Sequence, residues 1–167
     1  MKMDLTAERG WCDGISRVGR WVLVCSILLL MVSQAASAQK SVTAQSMERQ
    51  GMVDVTTLDS TIHVSLMYAR PDNFTGRILY ADLREALLHP RAARALCEAQ
   101  RLLKKRRPDL SLKIYDATRP MSVQAQMWQV VVGTPQQNYV SNPRNGGGLH
   151  NYGMAVDVTL CDDQSGD

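Results

Sequence analysis

Gly146-Gly147-Gly148-Leu149-His150-Asn151-Tyr152-Gly153-Met154-Ala155-Val156-Asp157-Val158-Thr159-Leu160 is a glycine-rich polar loop running into a short apolar strand. From Met154 onward apolar and polar positions alternate with the period of two that a pleated strand imposes. Met154, Val156, Val158 and Leu160 share one face, which is expected to be core. Ala155, Asp157 and Thr159 share the other. A carboxylate inside a strand of this composition is costly to bury without a partner. His150 stands at the junction of loop and strand, and Gly153 between the two permits a sharp turn or a close approach. An imidazole and a carboxylate aimed at one point are two parts of a zinc site, so His150 and Asp157 are expected to converge as metal ligands.

Outward from this stretch, two further segments stand out: Tyr68-Ala69-Arg70-Pro71-Asp72-Asn73-Phe74-Thr75-Gly76 and Asp116-Ala117-Thr118-Arg119-Pro120. With His150-x-x-Gly153-x-Ala155-x-Asp157 they make three ordered motifs, and together these resemble the D-alanyl-D-alanine dipeptidases, the zinc peptidase family that includes the vancomycin-resistance dipeptidases. The family motif carries Ser two residues before the His, where this chain has Gly148. The resemblance implies an α+β fold of the Hedgehog/D,D-peptidase type, with a small antiparallel sheet packed by two or three helices. It implies one zinc ion held by His150 and Asp157, with Arg119 stabilising the transition state. Tyr68, Asn73 and Phe74 are then expected on the wall of the substrate pocket. The implied substrate is D-Ala-D-Ala or a peptide derived from peptidoglycan. Alternatives are a D,D-carboxypeptidase of the same superfamily and a non-catalytic peptidoglycan-binding remnant.

In that family a third ligand, a His, and a general base, a Glu, lie in a short motif well beyond the Asp. Ten residues follow Asp157 here, and none is His or Glu. The expectation is an N-terminal portion of the domain, incomplete at its C-terminus, that holds zinc weakly and has little dipeptidase activity alone.

The remainder of the chain bounds these readings. Its 167 residues, 45% of them hydrophobic, suffice for one domain with a core. A net charge of +3 and the lack of interleaved basic and aromatic residues argue against nucleic acid as a partner. Residues 1–20 carry Lys2, Arg9, Arg17 and Arg20 ahead of the apolar run Trp21–Val32, and Ala36-Ser37-Ala38 follows. This order reads as a secretory signal peptide over residues 1–38, with no stable membrane span after cleavage and an exported, periplasmic or extracellular product. Residues 39–52 read as a flexible lead-in and 53–167 as the dipeptidase-like domain. Export leaves Cys97 and Cys161 in an oxidising compartment, where either a disulfide or free thiols are compatible with the sequence.

Within the domain, residues 53–68 read as extended chain, with Ile62, Val64 and Leu66 alternating. Asp82–Leu88 reads as a short helical turn. His89-Pro90 opens a longer helix, with Ala92, Ala95, Leu96, Ala99, Leu102 and Leu103 on one stripe and the basic run Lys104–Arg107 matched to its C-terminal dipole. Leu110–Asp116 reads as a strand. Ser122–Val132 reads as a helix with Val123, Met127 and Val130 inward. Residues 133–148 form a long polar loop of the kind that rims a site.

Overall fold

The computed structural model describes residues 39–167; the expected leader over residues 1–38 lies outside the described residues. The sheet that carries the site is built on β4 (Leu110–Asp116), the central strand of three. On one side β2 (His63–Val64) pairs with it in parallel. On the other, β5 (Asp157–Asp162) pairs antiparallel, with Leu112 opposite Leu160 and Ile114 opposite Val158. A register shift between Ile114 and Asp116 sets Asp116 opposite Asp157, and such bulges re-aim side chains near a strand end. A second, two-stranded antiparallel sheet joins β1 (Val53–Asp54) to β3 (Leu87–Leu88). The fold is α+β, a small sheet packed by helices, and its three-stranded sheet is mixed because β2 runs parallel to β4.

The helices follow local chemistry. In α1 (Val42–Arg49) the Ser41 hydroxyl caps the first turn at Ala44 N–H, 3.0 Å away. Ser41 and Thr43 also donate to the Glu85 and Asp82 carboxylates, and Ala44 and Met47 are buried. This corrects the flexible lead-in expected over residues 39–52: two apolar side chains and two anchored hydroxyls suffice to order a segment of polar composition. A four-residue turn, α2 (Val55–Leu58), is capped by Asp54 and breaks the extended chain expected over residues 53–68. Asp82–Leu88, expected as a helical turn, instead supplies strand β3.

In α3 (Pro90–Arg106) Pro90 occupies the first turn, the His89 ring accepts from Arg91 N–H at 3.2 Å, and the last turn carries Lys104, Lys105 and Arg106. Its start and its basic end match the reading of the sequence. Its buried stripe matches in part: Leu96 is buried and Ala92 packs against the core as expected, but Ala93 and Gln100 face inward while Ala95, Ala99 and Leu102 are exposed. The reason is Gln100. Its amide nitrogen, Nε2, donates to Thr61 Oγ1 (2.8 Å) and Ser111 Oγ (3.1 Å), and Oε1 accepts from Leu112 N–H (2.9 Å). A fully bonded amide is admissible inside a core, and apolar periodicity cannot see it. In α4 (Met121–Val131) Val123 and Met127 are buried as expected, joined by Gln124 and Val131, while Val130 is exposed.

The largest departure concerns β5. Its expected core face is largely open: Met154, Val158 and Leu160 are exposed, the last at 53%. Only Val156 packs against the core, and Cys161 is buried. β5 is the outer strand of its sheet, and among the described residues no element covers that face. Cys97 and Cys161 are both free thiols. Among the described residues no helix is long and apolar enough to cross a membrane.

Candidate metal centre and substrate cavity

His150 lies in a single 3-10 turn (Leu149–Tyr152) that ends at Gly153, φ 66°. This turn is bonded to the corner between β4 and α4. Arg119 N–H donates to the His150 carbonyl (3.0 Å), and Asn151 Nδ2 donates to the Arg119 carbonyl (3.0 Å). At Gly153 a side chain is excluded twice over. The positive φ is strained for any L-residue, and a Cβ would lie 2.6 Å from the His89 backbone nitrogen. That close approach lets His89 N–H bond the Gly153 carbonyl at 2.9 Å.

The turn presents His150 edge-on to β5. Its Nδ1 sits 2.9 Å from the Ala117 carbonyl. A carbonyl only accepts, so Nδ1 carries a proton and donates it. Nε2 is then the nitrogen that faces Asp157, 3.5 Å from Oδ1. The structure thus brings together the pair expected from the spacing of the motif. Two electron-pair donors held at that distance repel, and a cation between them relieves the repulsion. A proton can take that place in the metal-free chain. Burial alone would lower the His150 pKa; the Asp157 carboxylate, with the Ala117 carbonyl and Asp116 behind it, outweighs burial and raises it. The hydrogen bond from His150 in turn holds the Asp157 carboxyl below its ordinary value, against the effect of its partial burial. A divalent metal suits the same gap. Ligand atoms about 2.1 Å from a tetrahedral zinc are about 3.4 Å apart.

Asp116 completes the cluster. Ligand atoms of Asp116, His150 and Asp157 lie within 4.8 Å of one another. Both Asp116 oxygens are already engaged, however. Oδ1 accepts from Tyr80 O–H at 2.5 Å, and Oδ2 accepts from Arg119 Nη2 and from Nε at 3.2 Å. Asp116 therefore acts as the anchor behind His150 and Arg119. The guanidinium of Arg119 is nearly buried. It rests 5.2 Å from the centre of the Tyr68 ring and donates from Nη1 to Gln124 Oε1 at 2.9 Å. Arg119, the residue expected from the resemblance to stabilise a transition state, is thus ion-paired with Asp116 and also stands on the wall of a cavity.

A cavity of about 470 Å³ opens over this group, with Tyr68, Arg119, Gln124, His150 and Asp157 on its wall. A family model described as D-Ala-D-Ala dipeptidase, peptidase M15, matches residues 48–167. The chain belongs to this peptidase family. It is 37% identical over 112 residues to the D-alanyl-D-alanine dipeptidase of Escherichia coli (strain K12), a match covering 67% of this chain and 54% of that protein. The chain spans about half the length of the curated relative it matches.

Within this M15 domain the three expected pocket residues separate. Tyr68 is buried against Tyr80, ring centres 5.9 Å apart, and lines the cavity. Phe74 meets Tyr68 edge-on at 6.2 Å and stands half exposed on the cavity wall. Asn73 is not on that wall. Its amide bonds the Arg70 and Arg77 carbonyls, and its oxygen accepts from Thr75, so it shapes the loop that carries Phe74. Three contributors escaped the sequence reading: Asp116 as an anchor, Gln124 and Ser141. Asp116 had a signal, an acid three residues before the arginine of one motif. Gln124 and Ser141 had none, because a lone amide in a helix and a lone serine in a polar loop are common everywhere.

Proposed function

We propose that this chain contributes to zinc-dependent hydrolysis of the D-Ala-D-Ala dipeptide in cell-wall metabolism outside the cytoplasm, residues 1–38 serving as the export leader. One observation carries the reading: His150 Nε2 and Asp157 Oδ1 face each other at 3.5 Å on the wall of a cavity that also holds a buried arginine. His150 and Asp157 would hold the zinc. Zinc bound there polarises a carbonyl and lowers the pKa of its water to about 7. The Ala117 carbonyl fixes the imidazole tautomer, as partners of metal-bound histidines generally do. Arg119 spends three N–H groups on Asp116 and Gln124. Its remaining N–H groups, rigidly held, are available to the oxygen that gains charge when the peptide carbonyl is attacked. Tyr68 and Phe74 supply the apolar side of the cavity.

The chain's other histidines serve elsewhere. His63 Nε2 sits 3.2 Å from the Asp163 carbonyl, and His89 caps α3. Two donors from the described residues give zinc a weak hold, and turnover of D-Ala-D-Ala by the 167-residue chain is expected to be low. Zinc titration of the wild type beside His150→Ala and Asp157→Ala tests the reading. Each substitution is expected to weaken binding tenfold or more. Equal zinc affinity in all three chains would remove the metal centre from the account. Cleavage of a peptidoglycan stem peptide without cleavage of the dipeptide would move the substrate assignment to a D,D-carboxypeptidase.

A further inference from the structure

Gly148 is the position where the His–Asp motif departs from the resembling family, which carries serine there. Its backbone gives no reason for glycine: φ is −131° and ψ is −176°, an extended conformation open to any residue. The reason is occupancy. A Cβ built at Gly148 would lie 2.6 Å from Ser141 Oγ and 3.1 Å from Ser141 Cβ. The hydroxymethyl group of Ser141 therefore fills the volume that a side chain at position 148 would take. Both residues line the cavity.

Ser141 is held there by the catalytic-side network. Gln124, almost fully buried, donates from Nε2 to the Ser141 carbonyl at 2.7 Å and accepts from Arg119 through Oε1. One amide thus sets the loop residue and the arginine in a common frame. The Ser141 residue is exposed, and among the described residues no protein group bonds its hydroxyl. That hydroxyl can both donate and accept.

We infer that the Ser141 hydroxyl stands in for the serine of the family motif and supplies a hydrogen bond to the polar backbone of a bound dipeptide, making Ser141 a substrate-contact residue of this chain. This rests on the dipeptide reading of the cavity. It also accounts for the departure at position 148: a side chain there would displace the Ser141 hydroxyl from its place, so the loop hydroxyl and the motif hydroxyl are alternatives.

The test is titration of D-Ala-D-Ala into the zinc-loaded full chain, followed by NMR, with thermal melting alongside. Ser141→Ala is expected to weaken dipeptide binding about fivefold to tenfold, the worth of one hydrogen bond, with zinc affinity unchanged. Gly148→Ser alone is expected to lower both the melting temperature and dipeptide affinity through the collision. The exchange of both residues, Ser141→Gly with Gly148→Ser, is expected to return both readings to near wild type. Wild-type dipeptide affinity in Ser141→Ala, or failure of the exchange to recover what Gly148→Ser lost, would overturn the inference and leave the dipeptidase reading intact. A wild-type chain that binds zinc but no dipeptide would overturn this inference and the substrate assignment together, while zinc titration of His150→Ala would still judge the metal pair by itself.

Discussion

Replacing Asp116 by Asn keeps the shape of the side chain and removes its charge from a site where Asp116 is 1% and Arg119 10% exposed. The amide can still accept from Tyr80 through one oxygen. On the other side an NH₂ group would face Arg119 Nη2 and Nε, donor against donor, and the guanidinium would lose the anion it is paired with. Breaking a buried ion pair by removing one partner costs about 3–5 kcal/mol. Here Gln124 retains one bond to Arg119 and the Tyr68 ring still lies beneath it, which favours the lower end, about 3 kcal/mol. That is a large share of the roughly 5–15 kcal/mol that stabilises an ordinary domain, and at this chain length it corresponds to a fall in Tm of about 10 °C. Urea unfolding of Asp116→Asn, Arg119→Met and the double variant forms a closed cycle. Removing both partners should cost clearly less than the two single losses combined, with a coupling of about 2 kcal/mol. Additive losses, or an Asp116→Asn variant within about 0.5 kcal/mol of wild type, would show that Asp116 does not anchor Arg119.

Other perturbations probe different parts of the same frame. Gly153→Ala is expected to cost about 2 kcal/mol or more, since it adds left-handed strain to a contact of 2.6 Å with the His89 nitrogen, and to weaken zinc binding because the turn sets the spacing of His150 and Asp157; a melt and a zinc titration read both. Gln100→Leu should destabilise by about 2–3 kcal/mol in urea unfolding, because Leu112 N–H and Thr61 lose buried partners. In the metal-free chain the raised His150 pKa contributes stability that is complete below the ordinary imidazole value of 6.5 and is lost as pH rises through the higher folded value. The lowered Asp157 pKa contributes stability that is complete above 3.8 and is lost as pH falls through its folded value. Both contributions coincide in mildly acid solution. Zinc must displace the His150 proton, so the rise in Tm caused by zinc should grow with pH across neutrality and show a much smaller slope in His150→Ala; a pH-independent zinc effect would contradict it.

Much of the frame was legible from residue order, and what was not has a common cause. The entry of α3 at His89-Pro90 and the span of β4 follow from local rules, namely a proline tolerated in a first turn and side chains that alternate. The meeting of His150 with Asp157 follows from a turn of fixed length between them. The inward sides of α3 and α4 were read only in part: Leu96, Val123 and Met127 are buried as expected, but periodicity weighs only apolar residues, whereas Gln100 and Gln124 enter the interior through their hydrogen bonds. The open face of β5 was misread for a related reason: alternation tells which side chains share a face, not whether another element lies over it. Asn73 was assigned to the pocket by its neighbours in the motif, yet its amide is consumed by the loop itself. Ser141 became visible only because its side chain occupies the space beside Gly148, a relation between residues seven positions apart.

The bond from the His89 amide to the Gly153 carbonyl ties the first turn of α3 to the turn that spaces His150 and Asp157. Transient opening at either end is therefore shared by both. Amide exchange at His89, far from the cavity in sequence, becomes a gauge of how often the imidazole and the carboxylate lose their alignment, readable without altering a single atom of the centre.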